Sequence, residues 1–143
     1  MLILLSVYAF VSLISYDARD PSWANVASPG QRIHNSGGKV GAFLSEGLLQ
    51  FLGLASFLLP VFFGYLGVRA LLPKGERHFL FRIGASLFLL LLFSSLFALL
   101  FQRFSWRGGD IQAGGLLGDL ISSLLVRYMS AAGSLIFLLA ILL

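Results

Sequence analysis

Four transmembrane helices in an all-α membrane protein, arranged as two repeated helical hairpins with an interfacial helical segment after each Gly-Gly-x-x-Gly, are the fold that the sequence predicts. Three observations carry that expectation. The first is composition: 143 residues are 58% hydrophobic and only 11% charged, with a mean hydropathy of +0.93 and no cysteine. A soluble chain carries about 25% charged residues. This balance excludes a soluble enzyme domain, a disordered tail and a disulfide-stapled secreted module. The second is four uncharged runs, at residues 1–16, 47–68, 83–102 and 128–143. A helix needs about 20 mostly apolar residues to cross a bilayer. The third is a self-match. When the chain is shifted by 77 positions, Gly37-Gly38-x-x-Gly41 falls on Gly114-Gly115-x-x-Gly118, Ser45 on Ser122, Leu48 on Leu125 and Leu58 on Leu135.

The first span, 1–16, and the last, 116–143 with its interfacial start, reach the ends of the sequence without polar flanks, so each reads as truncated and the chain as a fragment. The first run lacks the basic start and small-residue cleavage site of a signal peptide, and is expected to stay as an uncleaved helix. Tyr16 closes it, and Trp23 and Trp106 sit in the two longer links, each after a serine. These three aromatics are expected to anchor at the membrane interface, where amphipathic rings accumulate.

Each Gly-Gly-x-x-Gly (Gly37, Gly38, Gly41; Gly114, Gly115, Gly118) is expected to be a hairpin joint, since glycine adopts backbone angles that other residues avoid. A polar line at helical spacing follows each: Ala42, Glu46, Gln50 in one half and Asp119, Ser123, Arg127 in the other. Residues four apart share a helix face, so these segments suit an interfacial position before the chain turns into the membrane. The first interfacial segment with its span covers 43–72, the third span 82–102, and the repeat sets 1–72 against 82–143 within one four-helix membrane domain. Pro60 in the second span has Phe137 as its counterpart, so a simple kink is expected there rather than matched breaks in both halves.

Charge sets the orientation. The net charge of +4 comes from ten Lys and Arg spread between apolar runs, which is a topology signal rather than a nucleic-acid surface. The link 69–82 holds Arg69, Lys74, Arg77 and Arg82, whereas 103–118 holds only Arg103 and Arg107. The positive-inside rule puts the basic link, and with it both termini, in the cytoplasm.

Reaction chemistry is sparse. Gly38-Lys39 is followed by valine, so no phosphate cradle forms, and His34 and His78 lack partners at metal-ligand spacing. Glu46, Glu76, Asp110 and Asp119 make no close acid–base pair, and Ser94 and Ser95 are expected to help helices pack. No catalytic, cofactor or metal residue is assigned. Small residues such as Gly53, Ser56, Gly64, Gly67, Ala98 and Ala131-Ala132-Gly133 favour close helix approach, hence self-association. The centres of the spans hold no ionisable residue, which favours an anchor over the alternative, an unrelated small polytopic channel or transporter subunit.

Particular words then stand out: Ser15-Tyr16, Asp20-Pro21-Ser22-Trp23, Asn35-Ser36-Gly37-Gly38-Lys39-Val40-Gly41-Ala42-Phe43-Leu44-Ser45-Glu46, and the run from Phe51 to Pro60. Over residues 12–72 the chain resembles the N-terminal four-span membrane domain of the FtsK/SpoIIIE DNA translocases, with Glu46 where that family has aspartate. The resemblance implies an anchor at the bacterial division septum, in the cytoplasmic membrane, followed in the parent protein by a linker and a RecA-like ATPase. That motor would assemble as a hexamer, use ATP and magnesium, and couple chromosome segregation to cell division. This segment itself would bind no nucleic acid or cofactor. Its partners would be the lipid bilayer, further copies of itself and division-site membrane proteins.

Overall fold

The computed structural model describes residues 1–23, 32–71 and 79–142, with the side chain of Phe79 set aside. Within them the chain is mostly helical: α1 (Leu2–Ile14), α2 (Gly38–Leu52), a 3₁₀ turn (Gly53–Phe57), α3 (Leu58–Leu71), α4 (Phe79–Phe101), β1 (Arg103–Trp106), β2 (Gly109–Gln112) and α5 (Gly115–Leu142). Three helical stretches are long and apolar enough to cross a membrane, namely Gly38–Leu71, Leu80–Phe101 and Gly115–Leu142, and Leu2–Ile14 is a shorter apolar helix.

Contacts fix how α2 and α3 meet α1. Pro60 O accepts a hydrogen bond from Ser6 Oγ at 2.6 Å, and a Cβ on Gly67 would stand 2.7 Å from the Ile3 side chain. As α3 advances α1 recedes, so the two run antiparallel side by side. Against α2 the pattern changes. A Cβ on Gly41 would meet Ser12 Oγ at 2.8 Å, while Leu49 shares a buried cluster with Leu13 and Tyr16. Eight residues of α2, about 12 Å of helix, thus pass over a single turn of α1. Helix α2 therefore lies across the end of α1, and the chain turns at Gly53 (φ 59°, ψ −135°) before descending as α3. Pro60 is not the break. It stands in the first turn of α3, where a missing N–H costs nothing.

The same reasoning applies to α4 and α5. Ser94 meets Gly114 and Gly118, yet Leu92 and Leu96 share a cluster with Leu138, twenty residues further along α5. A straight helix would carry Leu138 about 30 Å away from Gly118. Instead α5 bends at Ser130 (φ 62°, ψ 168°), so its second part returns along α4. The expectation that the halves do not break at matched places is thereby corrected, because Gly53 and Ser130 are 77 positions apart. Gly38 (φ 65°) and Gly115 (φ 60°), which open α2 and α5, have the same spacing.

The all-α expectation is corrected in the link 103–118, where β1 and β2 pair antiparallel from Arg103↔Gln112 to Trp106↔Gly109. The two-residue loop has positive φ at both Arg107 (43°) and Gly108 (81°), the geometry whose twist matches paired strands. Phe104, Trp106 and Ile111 face inward, onto the cluster of Leu13, Tyr16 and Leu49. The hairpin thus caps the end of α1 and ties the two halves together.

Candidate functional site

The polar side chains gather at the end of the bundle where α1 meets α2 and α4 meets α5. The first link is held there by a buried knot. Asp20 is nearly fully buried, and its carboxylate accepts from the backbone N–H of His34 (2.8 Å) and of Asn35 (2.7 Å), with His34 Nδ1 at 3.1 Å. Asn35 uses its whole amide: Nδ2 donates to Ser12 O (2.9 Å) and Ser45 Oγ (3.2 Å), while Oδ1 accepts from Gly37 N (2.8 Å) and Ser15 Oγ (3.3 Å). Ser12 O can only accept and Gly37 N can only donate, so the amide has one workable orientation. Tyr8 adds a hydroxyl bond to Gly37 O at 2.9 Å.

These contacts divide the work among the glycines. Gly38 and Gly115 supply left-handed backbone, whereas Gly37, Gly41, Gly114 and Gly118 supply closeness. A Cβ on Gly118 would stand 2.6 Å from Ser94 Oγ, as one on Gly41 would stand 2.8 Å from Ser12 Oγ. Ser94 Oγ donates to Gly114 O at 2.5 Å. In both halves a serine of the first helix thus meets the last glycine of the motif.

Beside the knot lies a cleft of about 400 Å³ lined by Tyr16, Glu46, Gln50, Arg103, Asp110, Ile111, Gln112 and Leu116. Another, of about 500 Å³, shares Arg103 and Gln112 and reaches Asp119. The first polar line turns inward at two of its three positions: Ala42 and Glu46 are buried, while the exposed Gln50 donates from Nε2 to Glu46 Oε1 at 2.7 Å. Burial first, and then the neighbouring Glu46 carboxylate, raise the Tyr16 phenol well above its ordinary pKa. Ser123 and Arg127, by contrast, point outward, and Asp119 is half-buried.

Trp23 is 74% exposed and lies edge-on to Phe43 at 5.5 Å, whereas Trp106 is half-buried against Phe57 at 6.2 Å. Arg69 sits over the Tyr65 ring in the last turn of α3, and Arg82 lies in the first turn of α4. Lys74, Arg77, Glu76 and His78 lie outside the described residues. Among the described residues no group of three or more His, Cys, Asp or Glu side chains is placed to hold a metal ion. The arrangement positions backbone and orients helices. Asp20 and Asn35 were not singled out as site residues from the sequence, because polar residues in a link read as solvated. The available signal was an asparagine two residues before a Gly-Gly that opens a helix.

The chain matches, over residues 1–143, the family model described as the 4TM region of DNA translocase FtsK/SpoIIIE. Among curated proteins it is similar to "DNA translocase FtsK" of Pseudomonas syringae pv. syringae, 28% identical over 96% of this chain and 18% of that protein. It is 29% identical to the protein of that name from Pseudomonas aeruginosa, over 91% of the chain and 17% of the relative. With that of Azospirillum brasilense it shares 44% identity over 50% of the chain and 11% of the relative. The chain thus spans less than a fifth of the length of these relatives. No solved structure matches it.

Proposed function

The chain belongs to the family of the 4TM region of DNA translocase FtsK/SpoIIIE, and from that membership we propose that it anchors a DNA translocase in the bacterial cytoplasmic membrane at the division septum. The match over all 143 residues is the observation that carries this reading. Its work is to insert, self-associate and hold a motor where the septum closes, so that chromosome segregation is coupled to division. The ATP- and magnesium-dependent chemistry belongs to a motor outside this segment. Both termini face the cytoplasm, on the side of Arg69, Lys74, Arg77 and Arg82.

Residues 1–72 and 82–143 are two copies of one hairpin unit. Three coincidences support this: positive φ at Gly38 and Gly115, the bend at Gly53 and Ser130, and a serine against the last glycine at Gly41 and Gly118. In each copy the helix after the glycines lies across the bundle end before the span descends, which suits the headgroup region. The Trp23 ring, exposed beside α2, serves as an interfacial anchor. The exposed Ser123 and Arg127 are left to meet headgroups or division-site proteins.

The test is a fluorescent fusion followed in dividing bacterial cells. The fusion is expected to concentrate at the division site, and uniform membrane fluorescence throughout the cell cycle would overturn the septal role.

A further inference from the structure

Inside the chain the two halves meet through backbone. Leu54 N donates to Ala113 O at 2.8 Å, and a Cβ on Gly115 would stand 2.6 Å from Gly53 N. The bend is buried by this contact: Leu52 is 8% exposed, and Ala55, packed with it against Leu90 of α4, is fully covered. The N–H groups that open a helix have no acceptor within it, and here Ala113 O supplies one for Leu54.

Displaced by 77 positions, the same contact exists only as two open halves. Leu52, Leu54 and Ala55 become Met129, Ala131 and Ala132, which are exposed, Met129 at 42%. The receiving Ala113 and Gly115 become Ser36, which is exposed, and Gly38, where an added Cβ would find no atom within 4 Å although the backbone twist matches that of Gly115. Matching Ser12 to Ser94 sets Leu90 and Phe93 of α4 against Tyr8 and Val11 of α1, which are 37% and 40% exposed. One chain therefore shows a completed joint together with two exposed surfaces that match its two sides.

We propose that the bend at Met129–Ala132 of one copy docks on Ser36, Gly38 and the Tyr8/Val11 face of a second copy, repeating between chains the contact that Gly53 makes within one. Lipid is the poorer occupant, because it offers no backbone carbonyl fixed in place as Ala113 O is fixed for Leu54. The two surfaces differ, so the interface is head-to-tail, and repeated application builds a ring or an open filament rather than a two-fold dimer. The proposal rests on the duplication and self-association in the reading above, and names the surface that would carry them.

Absence of native cysteine makes the test direct. The chain in bacterial membranes would carry Ser36→Cys with Ala131→Cys, and separately Leu54→Cys with Ala113→Cys as the within-chain equivalent. Oxidation of the first pair is expected to yield a ladder of dimers, trimers and higher multiples, with each single variant remaining monomeric. The second pair is expected to close within one chain and shift its mobility without a ladder. Dimers from Ala131→Cys alone would overturn the proposal in favour of a two-fold contact. Absence of a ladder while the within-chain pair closes would also overturn it. Native mass measurement in lipid discs then separates the two failures: oligomers without a ladder reject this surface and keep self-association, whereas monomers reject both.

Discussion

Ser130 holds a backbone conformation that glycine adopts freely and a side chain resists, at a cost of about 1–3 kcal/mol. What keeps serine there is capping: its Oγ receives Gly133 N at 3.5 Å, a long and therefore weak bond at the start of the second part of α5. Glycine in place of a serine cap costs only a few tenths of a kcal/mol. The backbone strain outweighs that loss, so Ser130→Gly is expected to stabilise the chain by about 1 kcal/mol. A midpoint raised by a few degrees in detergent thermal unfolding would show it, and a lowered one would contradict it. Asn35 makes the opposite case. Asn35→Asp keeps the shape but turns two donors into acceptors facing Ser12 O and Ser45 Oγ, close to the buried Asp20. A loss of about 2–3 kcal/mol is expected from the unmade bonds and the added charge. The same thermal measurement checks it, and Asn35→Asp unfolding with the parent midpoint would mean that the knot is not structural.

At the scale of elements, the bends decide which helical stretch lies across the bundle and which runs along it. Gly53 and Gly108 both have positive φ, yet their surroundings differ. A Cβ on Gly108 meets nothing, so Gly108→Ala is expected to cost only the backbone penalty of about 1–2 kcal/mol and leave the β-hairpin in place. A Cβ on Gly53 would press on the backbone of Gly115, at 2.6 Å from its nitrogen, so Gly53→Ala is expected to cost more and to part α2 from α5. Equal midpoints for the two variants in thermal unfolding would refute this ranking. The helices themselves were legible in the sequence, because an uncharged run of bilayer length leaves few alternatives. The start at Gly115 was legible within one residue through the repeated glycines, whereas α2 opens at Gly38, five residues before the expected start at 43, because the glycines taken as a joint are already helical. Two features were not legible. Strands β1 and β2 turn on Arg107-Gly108, not on the Asn-Gly pair that announces such a hairpin, and their four-residue length carries little periodicity. Ser130 stands where its counterpart is glycine, so composition gave no hint of a bend in the second half.

For the whole molecule, the connections at the two ends differ in kind. One end carries the polar knot, the β-hairpin and the crossing helices, with Arg103 offset by Asp110 at 3.5 Å. The other end carries Arg69 and Arg82 at the close of α3 and the opening of α4, joined by a link that adds Lys74 and Arg77. Positive residues near short links are retained in the cytoplasm, and an arginine offset by a neighbouring carboxylate does not reverse that bias. In the orientation proposed above, four crossings would place the knot and hairpin on the periplasmic face and leave both termini within reach of the proposed cytoplasmic motor. Reporter enzymes inserted after Gly75 and after Gly108 check this. The first is expected to be active only as a cytoplasmic reporter and the second only as an exported one. The reverse pattern would put the basic link outside and remove the physical connection between this anchor and any ATP-driven machine in the cell interior.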